Sequence, residues 1–305
     1  MRPLLWPFAA AAAGLAYGAI YEVRAFTLRR VSVPVLAPGS EPLRVLHLSD
    51  THMTPDQHRK QQWLRGLADL QPDVVVNTGD NLAHLDAVPS VLRAYGDLLD
   101  LPGVFVFGSN DYFSPTRKNP INYLTGGTGV TVGGPVRRHH DLPFDELRAA
   151  FTQRGWTDLT NRHDALDVAG RRLAFVGVDD PHLEYDVLDD VPADRSADLA
   201  IGVAHAPYLR VLDRWNELGY PLIMAGHTHG GQLRIPFYGA LVTNCDLDRA
   251  RARGLHTHQV GSNERSWLHV SAGLGTSPYS AVRFACRPEA TLLTLTGIDS
   301  SGSLT

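Results

Sequence analysis

Cysteine is scarce in this 305-residue chain. Cys245 and Cys286 are the only two, far apart and in no metal or redox spacing. That excludes a disulfide framework and a thiolate cluster, leaving two plain buried thiols or at most one bridge. No stretch is dense in Lys or Arg, and 28 basic against 32 acidic side chains give a formal charge of −4. A general nucleic-acid binder needs a basic footprint, so none is expected to bind here. G-x-G-x-x-G and G-x-S-x-G are both absent, which leaves a dinucleotide fold and a serine hydrolase without support. There is no internal repeat and no linker dividing the body. With 44% apolar and 20% charged residues, a disordered chain and a coiled coil are excluded, and one domain with a sizeable core is expected.

The first thirty residues stand apart. Leu4 to Tyr21 is an 18-residue run without charge, long enough to cross a bilayer as a helix, though Ala and Gly make it weakly hydrophobic. No clear small-x-small cleavage site follows it. Arg24, Arg29 and Arg30 after the run, against Arg2 before it, favour a body on the cytoplasmic side. The expectation is a membrane anchor over residues 1–30; an Ala-rich helix packed on the domain is the competing reading. A body over 43–296 and a tail over 297–305 complete the division. The oligomeric state is not legible.

From Leu43 onward one theme repeats: a short apolar run, a polar cluster, then a helical pattern. Val45–Leu48 leads to Ser49-Asp50-Thr51-His52, Val74–Val76 to Thr78-Gly79-Asp80-Asn81, and Val104–Phe107 to Gly108-Ser109-Asn110-Asp111. Ala200–Val203 leads to His205, and Leu222–Met224 to Gly226-His227-Thr228-His229. Alternating strands and helices predict an α/β fold with mostly parallel strands. Residues 112–143 read as a turn-rich insertion, possible as a lid. Leu166–Val178 reads as a hairpin turning at Ala169-Gly170. Trp267–Val270 and Ala290–Leu295 read as late strands closing a second sheet.

In such folds ligands sit beyond the carboxyl ends of the strands, where every polar cluster falls. Asp50, His52, Asp80, Asn110, His205, His227 and His229 form a mixed oxygen and nitrogen donor set. It suits Mn²⁺ first, with Fe or Zn²⁺ as alternatives. In Asp50-x-His52 and His227-x-His229 an extended chain points both side chains the same way. Seven donors exceed one tetrahedral centre and suit two divalent cations sharing a carboxylate. Each piece alone is weak, since an isolated Asp-x-His is usually surface decoration. Their order at successive strand ends is what carries weight.

The set Asp50-Thr51-His52, Gly79-Asp80-Asn81, Gly108-Ser109-Asn110-Asp111, His205 and Gly226-His227-Thr228-His229 resembles the calcineurin-like metallophosphoesterases. Gly226–Gln232, Gly273–Thr276 and Arg283 look closest to a bacterial branch carrying an N-terminal hydrophobic segment. The resemblance implies a four-layer α/β/β/α sandwich. It implies Asp50, His52 and His229 on a first metal, Asp80 bridging, and Asn110, His205 and His227 on a second. The third motif departs from the family. Ser109 falls where a ligating Asn is expected, and Asn110 where a His is expected. Either Asn110 reaches the metal through a local shift, or Ser109 or a water takes its place. The usual catalytic His is missing, with Asp111, His84, His182 and the insertion histidines as candidate substitutes. Asn110 and Asp111 are the catalytic candidates of this motif, Asp111 as an orienting group or proton relay.

The expected activity is hydrolysis of a phosphodiester, diphosphate or monoester by a hydroxide bridging two metals. The substrate would be a phosphorylated small molecule or, given the anchor, a lipid. Two rivals remain: a non-catalytic interaction module on the same fold, and a mononuclear zinc hydrolase acting on amides.

Overall fold

A computed structural model describes residues 13–116 and 139–298. Most of the 112–143 insertion, Arg137 and Arg138 included, lies outside the described residues, as do residues 4–12 of the uncharged run and 299–305 of the tail.

The apolar runs become strands, and their period of two decides where each side chain goes. In β3 (Val74–Asn77) all four residues are buried, with Val74 and Val76 facing one core and Val75 another. Strands buried on both faces read as unbroken apolar runs for this reason. The first sheet has spatial order β1 (Thr27–Leu36), β14 (Glu289–Gly297), β2 (Leu43–Leu48), β3, β4 (Gly103–Phe105) and β5 (Thr157–Asp158). The second has order β12 (Gly254–His258), β13 (Ser266–Val270), β9 (Leu222–Ala225), β8 (Leu199–Ala204), β7 (Arg171–Gly177) and β6 (Arg162–Val168). The strands β2 to β5 run parallel, as do β13, β9, β8 and β7.

One core lies between the sheets, with Val45, Val74, Val76 and Val104 against Leu173, Ile201, Val203 and Met224. On the outer face of the first sheet, the helices His58–Arg65, Val88–Tyr95 and Phe144–Gln153 cover Leu46, Leu48, Val75 and Phe105. On the outer face of the second, the helix Leu209–Glu217 places Val211, Leu212 and Trp215 over Ala200, Ala204 and Ile223. Each such Val or Leu contributes roughly 1.5–3 kcal/mol by burial. Truncating any of them to Ala within these cores costs about 2–5 kcal/mol.

One expectation is corrected and another is not supported. The strand at Ala290–Leu295 belongs to the first sheet, not the second. It pairs antiparallel with β2 and parallel with β1, sending Leu293 and Leu295 into the inter-sheet core beside Val33 and Val45. The anchoring helix is also not supported, since among the described residues no helix is long and apolar enough to cross a membrane. The described end of the run breaks into a π turn (Tyr17–Tyr21) and a 3-10 turn (Glu22–Arg24). There Gly18 packs against the Arg283 carbonyl and Val282. Arg29 and Arg30, counted as a flanking charge, are residues of β1, and Arg29 pairs with Glu289 of β14.

Candidate metal centre

All five donor-bearing loops leave the carboxyl ends of strands that meet at one rim of the two sheets: β2, β3 and β4 from the first, β8 and β9 from the second. Asp50, His52, Asp80, His227 and His229 all have positive φ, between 40° and 67°. Left-handed backbone is uncommon for residues other than Gly, though Asp and His tolerate it better than most. Strain of this kind, of order 1–3 kcal/mol per residue, persists only where surrounding contacts fix it and gathers at functional sites. The contacts here include backbone bonds from Asp50 N to Gly79 O and from His52 N to Asp80 O, both 2.9 Å, which lock the first loop onto the second. Gly226 and Gly108 are required by close approach. A Cβ at Gly226 would overlap Ser49 Oγ, and one at Gly108 would overlap Asp80 Oδ1.

Asp50, His52, Asp80 and His229 converge so that one donor atom from each lies within 4.8 Å of the others. His52 Nε2 is 3.2 Å from His229 Nε2, and His229 Nε2 is 3.7 Å from Asp50 Oδ1. Asp80 Oδ2 stands 3.5 Å from His52 Nε2 on one side and 3.5 Å from His205 Nε2 on the other. His205 Nε2 in turn meets His227 Nδ1 at 3.3 Å. The geometry thus brings six of the seven sequence-derived donors into a chain of contacts with Asp80 in the middle.

The seventh, Asn110, also reaches Asp80. Its backbone N donates to Oδ1 and its Nδ2 to Oδ2, both at 2.7 Å. Ser109 Oγ only accepts from Asn110 Nδ2, at 3.3 Å. Asp111 does not stand beside the imidazoles. It is fully buried behind Asp80, accepting from the backbone N–H groups of Asp80, Asn81 and Gly108. That makes it a positioning residue. Burial and the neighbouring Asp80 push its carboxyl up to about 7.

Do these residues fit divalent cations? The distal nitrogens answer. His205 Nδ1 faces Thr78 O at 2.7 Å, His229 Nδ1 faces Gly275 O at 3.1 Å, and His227 Nε2 faces Asn244 O at 3.2 Å. A carbonyl only accepts, so His205 Nδ1 and His227 Nε2 each carry a proton, and neutral His227 keeps a lone pair on its inward nitrogen; His229 Nδ1 stands between the Gly275 carbonyl and the donor Arg283 Nη2, 3.3 Å away. Imidazoles oriented by carbonyls in this way are the usual outer support of metal-ligating histidines. Burial lowers His52 to about 4 and holds His227 and His229 well below the ordinary range, so all three are neutral at pH 7. His205 differs: burial disfavours its charge, but Asp80, Asp180 and Asp50 outweigh that and lift it to about 9. Asp80 moves the opposite way, held below the carboxylate range by His205 and His52 against the effect of burial. The donor set fits.

Beneath Asp50 lies a buried polar chain that ordinary strand patterning hides. Ser49 Oγ donates to Asp50 Oδ2, and Thr78 Oγ1 donates to Ser49 Oγ at 2.7 Å. With both hydroxyl protons spent, Thr78 accepts from His47 Nε2 at 3.0 Å. Neutral His47 then presents a bare Nδ1 to His269 Nδ1, 2.8 Å away across the two sheets. His269 Nε2 is left without a partner among the described residues. The ionised carboxylate of Asp50 sets the direction of every bond in the chain.

The places of some residues at the site are not legible in the sequence. Asp180, after β7, is buried and pushed up to about 7 by burial, against the pull of His205. Its position at a further strand end was the available clue. Arg283 is fully buried and donates to the carbonyls of Ala272 and Gly275, the latter facing His229. Of the candidate histidines, His182 alone packs against a donor among the described residues. Its ring lies 4.7 Å from that of His227, with Nδ1 3.0 Å from Tyr208 Oη. His84 is exposed beside Asp86, and His140 packs on Tyr112 and Phe144.

The family described as calcineurin-like phosphoesterase matches residues 43–231. The chain is 25% identical over 259 residues to the metallophosphoesterase YkoQ of Bacillus subtilis (strain 168), covering 83% of this chain and 84% of that one. It is 26% identical over 294 residues to Phosphodiesterase YaeI of Escherichia coli (strain K12), covering 94% of each. Among solved structures, TT1561 of Thermus thermophilus aligns with 12% identity and a TM-score of 0.41, over 77% of this chain and 91% of that one.

Proposed function

The chain belongs to the calcineurin-like phosphoesterase family, and from that premise we propose that it hydrolyses phosphodiesters with two divalent cations in the cage around Asp80. Asp50, His52, His229 and Asp80 would hold the first cation, and Asp80, His205, His227 and Asn110 the second. Mn²⁺ is the preferred ion for this oxygen and nitrogen set. Cations held there supply a lowered pKa for bound water and neutralise charge on the phosphoryl oxygens.

The single observation that carries this reading is Asp80 Oδ2, equidistant from His52 Nε2 and His205 Nε2. A carboxylate oxygen shared between two sets of nitrogen donors is what a bridging ligand requires. The phosphodiester class rests on the name of the relative YaeI.

The chain's own residues do the rest. Ser49 and Thr78 orient Asp50, Asp111 fixes the Asp80 loop, and the carbonyls of Thr78 and Asn244 hold the rings of His205 and His227. His182, beside His227, takes the place of the missing histidine and contacts the phosphoryl group from the second-cation side. The test is turnover of an aryl phosphodiester by purified protein, with Mn²⁺ added and then chelated. Turnover that vanishes with the chelator and returns with Mn²⁺ supports the reading. A protein that loads metal but turns over no phosphoester is the non-catalytic module instead.

A further inference from the structure

The loop that carries His229 runs directly into an outlying hairpin, β10 (Arg234–Ile235) and β11 (Gly239–Ala240), which pairs with neither large sheet. Its tip is apolar and unpacked: Phe237 is completely exposed, Tyr238 is 61% exposed and Ile235 49%. The tip belongs to a larger apolar face. Arg234 N bonds to Phe284 O at 2.9 Å, and the Phe284 ring meets the Tyr17 ring edge-on at 6.3 Å. Tyr17 lies in the N-terminal helical turn, whose Ile20 is 68% exposed. A monomer rarely leaves aromatic and branched side chains gathered and open unless something covers them.

We propose that this face docks on an anionic lipid surface, with the 235–238 tip entering the interface. Three observations favour lipid over a protein partner. Its residues are the Tyr, Phe and Ile of a membrane interface rather than a packed groove. Arginines border it: Arg24 donates to Ile20 O at 2.8 Å, and Arg249 lies over the Tyr238 ring at 5.2 Å, in a chain of net charge −4. Arginines near a membrane surface are drawn to anionic headgroups by roughly 1 kcal/mol each. In sequence, the mostly apolar residues 1–12 (MRPLLWPFAAAA) precede this helical turn, a second apolar element joined to the face by the chain. The tip and the metal-site residue His229 lie on one continuous stretch of chain, eight residues apart. The docking itself does not depend on the activity proposed above.

The test uses the full chain, stripped of metal by chelation so that the cage plays no part. Co-sedimentation is measured with vesicles of phosphatidylcholine alone and of phosphatidylcholine with phosphatidylglycerol. Wild type is expected on the anionic vesicles and released by high salt. Phe237→Glu is expected to partition about tenfold less well or worse, since an exposed Phe loses its burial in the interface. It should keep its turnover of a soluble aryl phosphodiester within about twofold. Phe237→Trp supplies an independent reading: its fluorescence should shift to the blue on anionic vesicles and be quenched by brominated acyl chains. Equal partitioning of wild type and Phe237→Glu would overturn the proposal, leaving residues 1–12 as the sole attachment. So would a sedimenting dimer that Phe237→Glu splits, which would identify a second copy as the occupant.

Discussion

Around Asp50, His52 and His229, donor atoms from four side chains lie within 4.8 Å, and Ser49 and the Gly275 carbonyl brace them from behind. Around His205, His227 and Asn110, the two imidazoles meet at 3.3 Å, but the amide is spent on Asp80 and His205 is held as a cation. Both halves draw on Asp80. The first is complete in the chain's own geometry, whereas the second depends on where Asn110 turns and on His205 giving up its proton. This is the half in which the sequence departs from its family. The difference suggests that a departure in one motif is absorbed locally, leaving the opposite half undisturbed.

Removing the shared group should break the comparison altogether. Asp80→Ala is expected to lose both cations and to reduce turnover to the uncatalysed background, read by elemental analysis and by the aryl phosphodiester assay. A variant that kept one full equivalent would show that the halves are independent. Next in size, His182→Ala should lower kcat by about 10²-fold while metal content is unchanged, as for loss of a group that assists the phosphoryl transition state. Asn110→Ala should weaken the second equivalent and lower turnover about 10–100-fold, whereas Ser109→Ala should stay within about threefold. The reverse order would assign the second half to Ser109.

Smaller effects probe the first half from below. Thr78→Val keeps the shape but cuts the link from His47 to Ser49. It should weaken metal binding about tenfold, and Thr78→Ser should restore it, both followed by calorimetric titration. The far end of that chain gives a pH dependence. Burial, then the charge of His256, hold His269 down to about 3, against 6.5 for the exposed side chain. Above pH 6.5 the group is neutral folded and unfolded, and contributes no pH dependence. Between 6.5 and 3 the unfolded chain takes a proton that the folded chain refuses, so stability falls as pH falls. His269→Leu lacks that loss. The gap between the two should shift toward the variant by up to about 1.4 kcal/mol per pH unit, seen in chemical denaturation from pH 7 to 4.5.

How legible was this in the sequence? The strands β2, β3, β8 and β9 were, because each is a short apolar run closed by a polar cluster, and the donor residues were legible through those clusters. β1 was obscured by Arg29 and Arg30, which look like flanking charge but lie on a strand, one of them paired with Glu289. The sheet membership of β14 could not be read, since pairing is settled by residues more than 200 positions away. His47 and His269 each sit inside an apolar strand, where a lone histidine reads as a core residue. Their meeting across the sheets is a tertiary fact. In the sequence Arg283 stands out only through a resemblance; its burial against the carbonyls of the His229 support comes from the fold. The apolar hairpin tip has no periodic pattern, so only exposure reveals it.

The shared position of Asp80 makes one number decisive. Purified protein, stripped and reloaded with Mn²⁺, should hold two equivalents per chain by elemental analysis, with electron paramagnetic resonance showing the ions magnetically coupled. A single, uncoupled equivalent at saturation would contradict a cage for two cations and leave Asp80 an ordinary ligand of one.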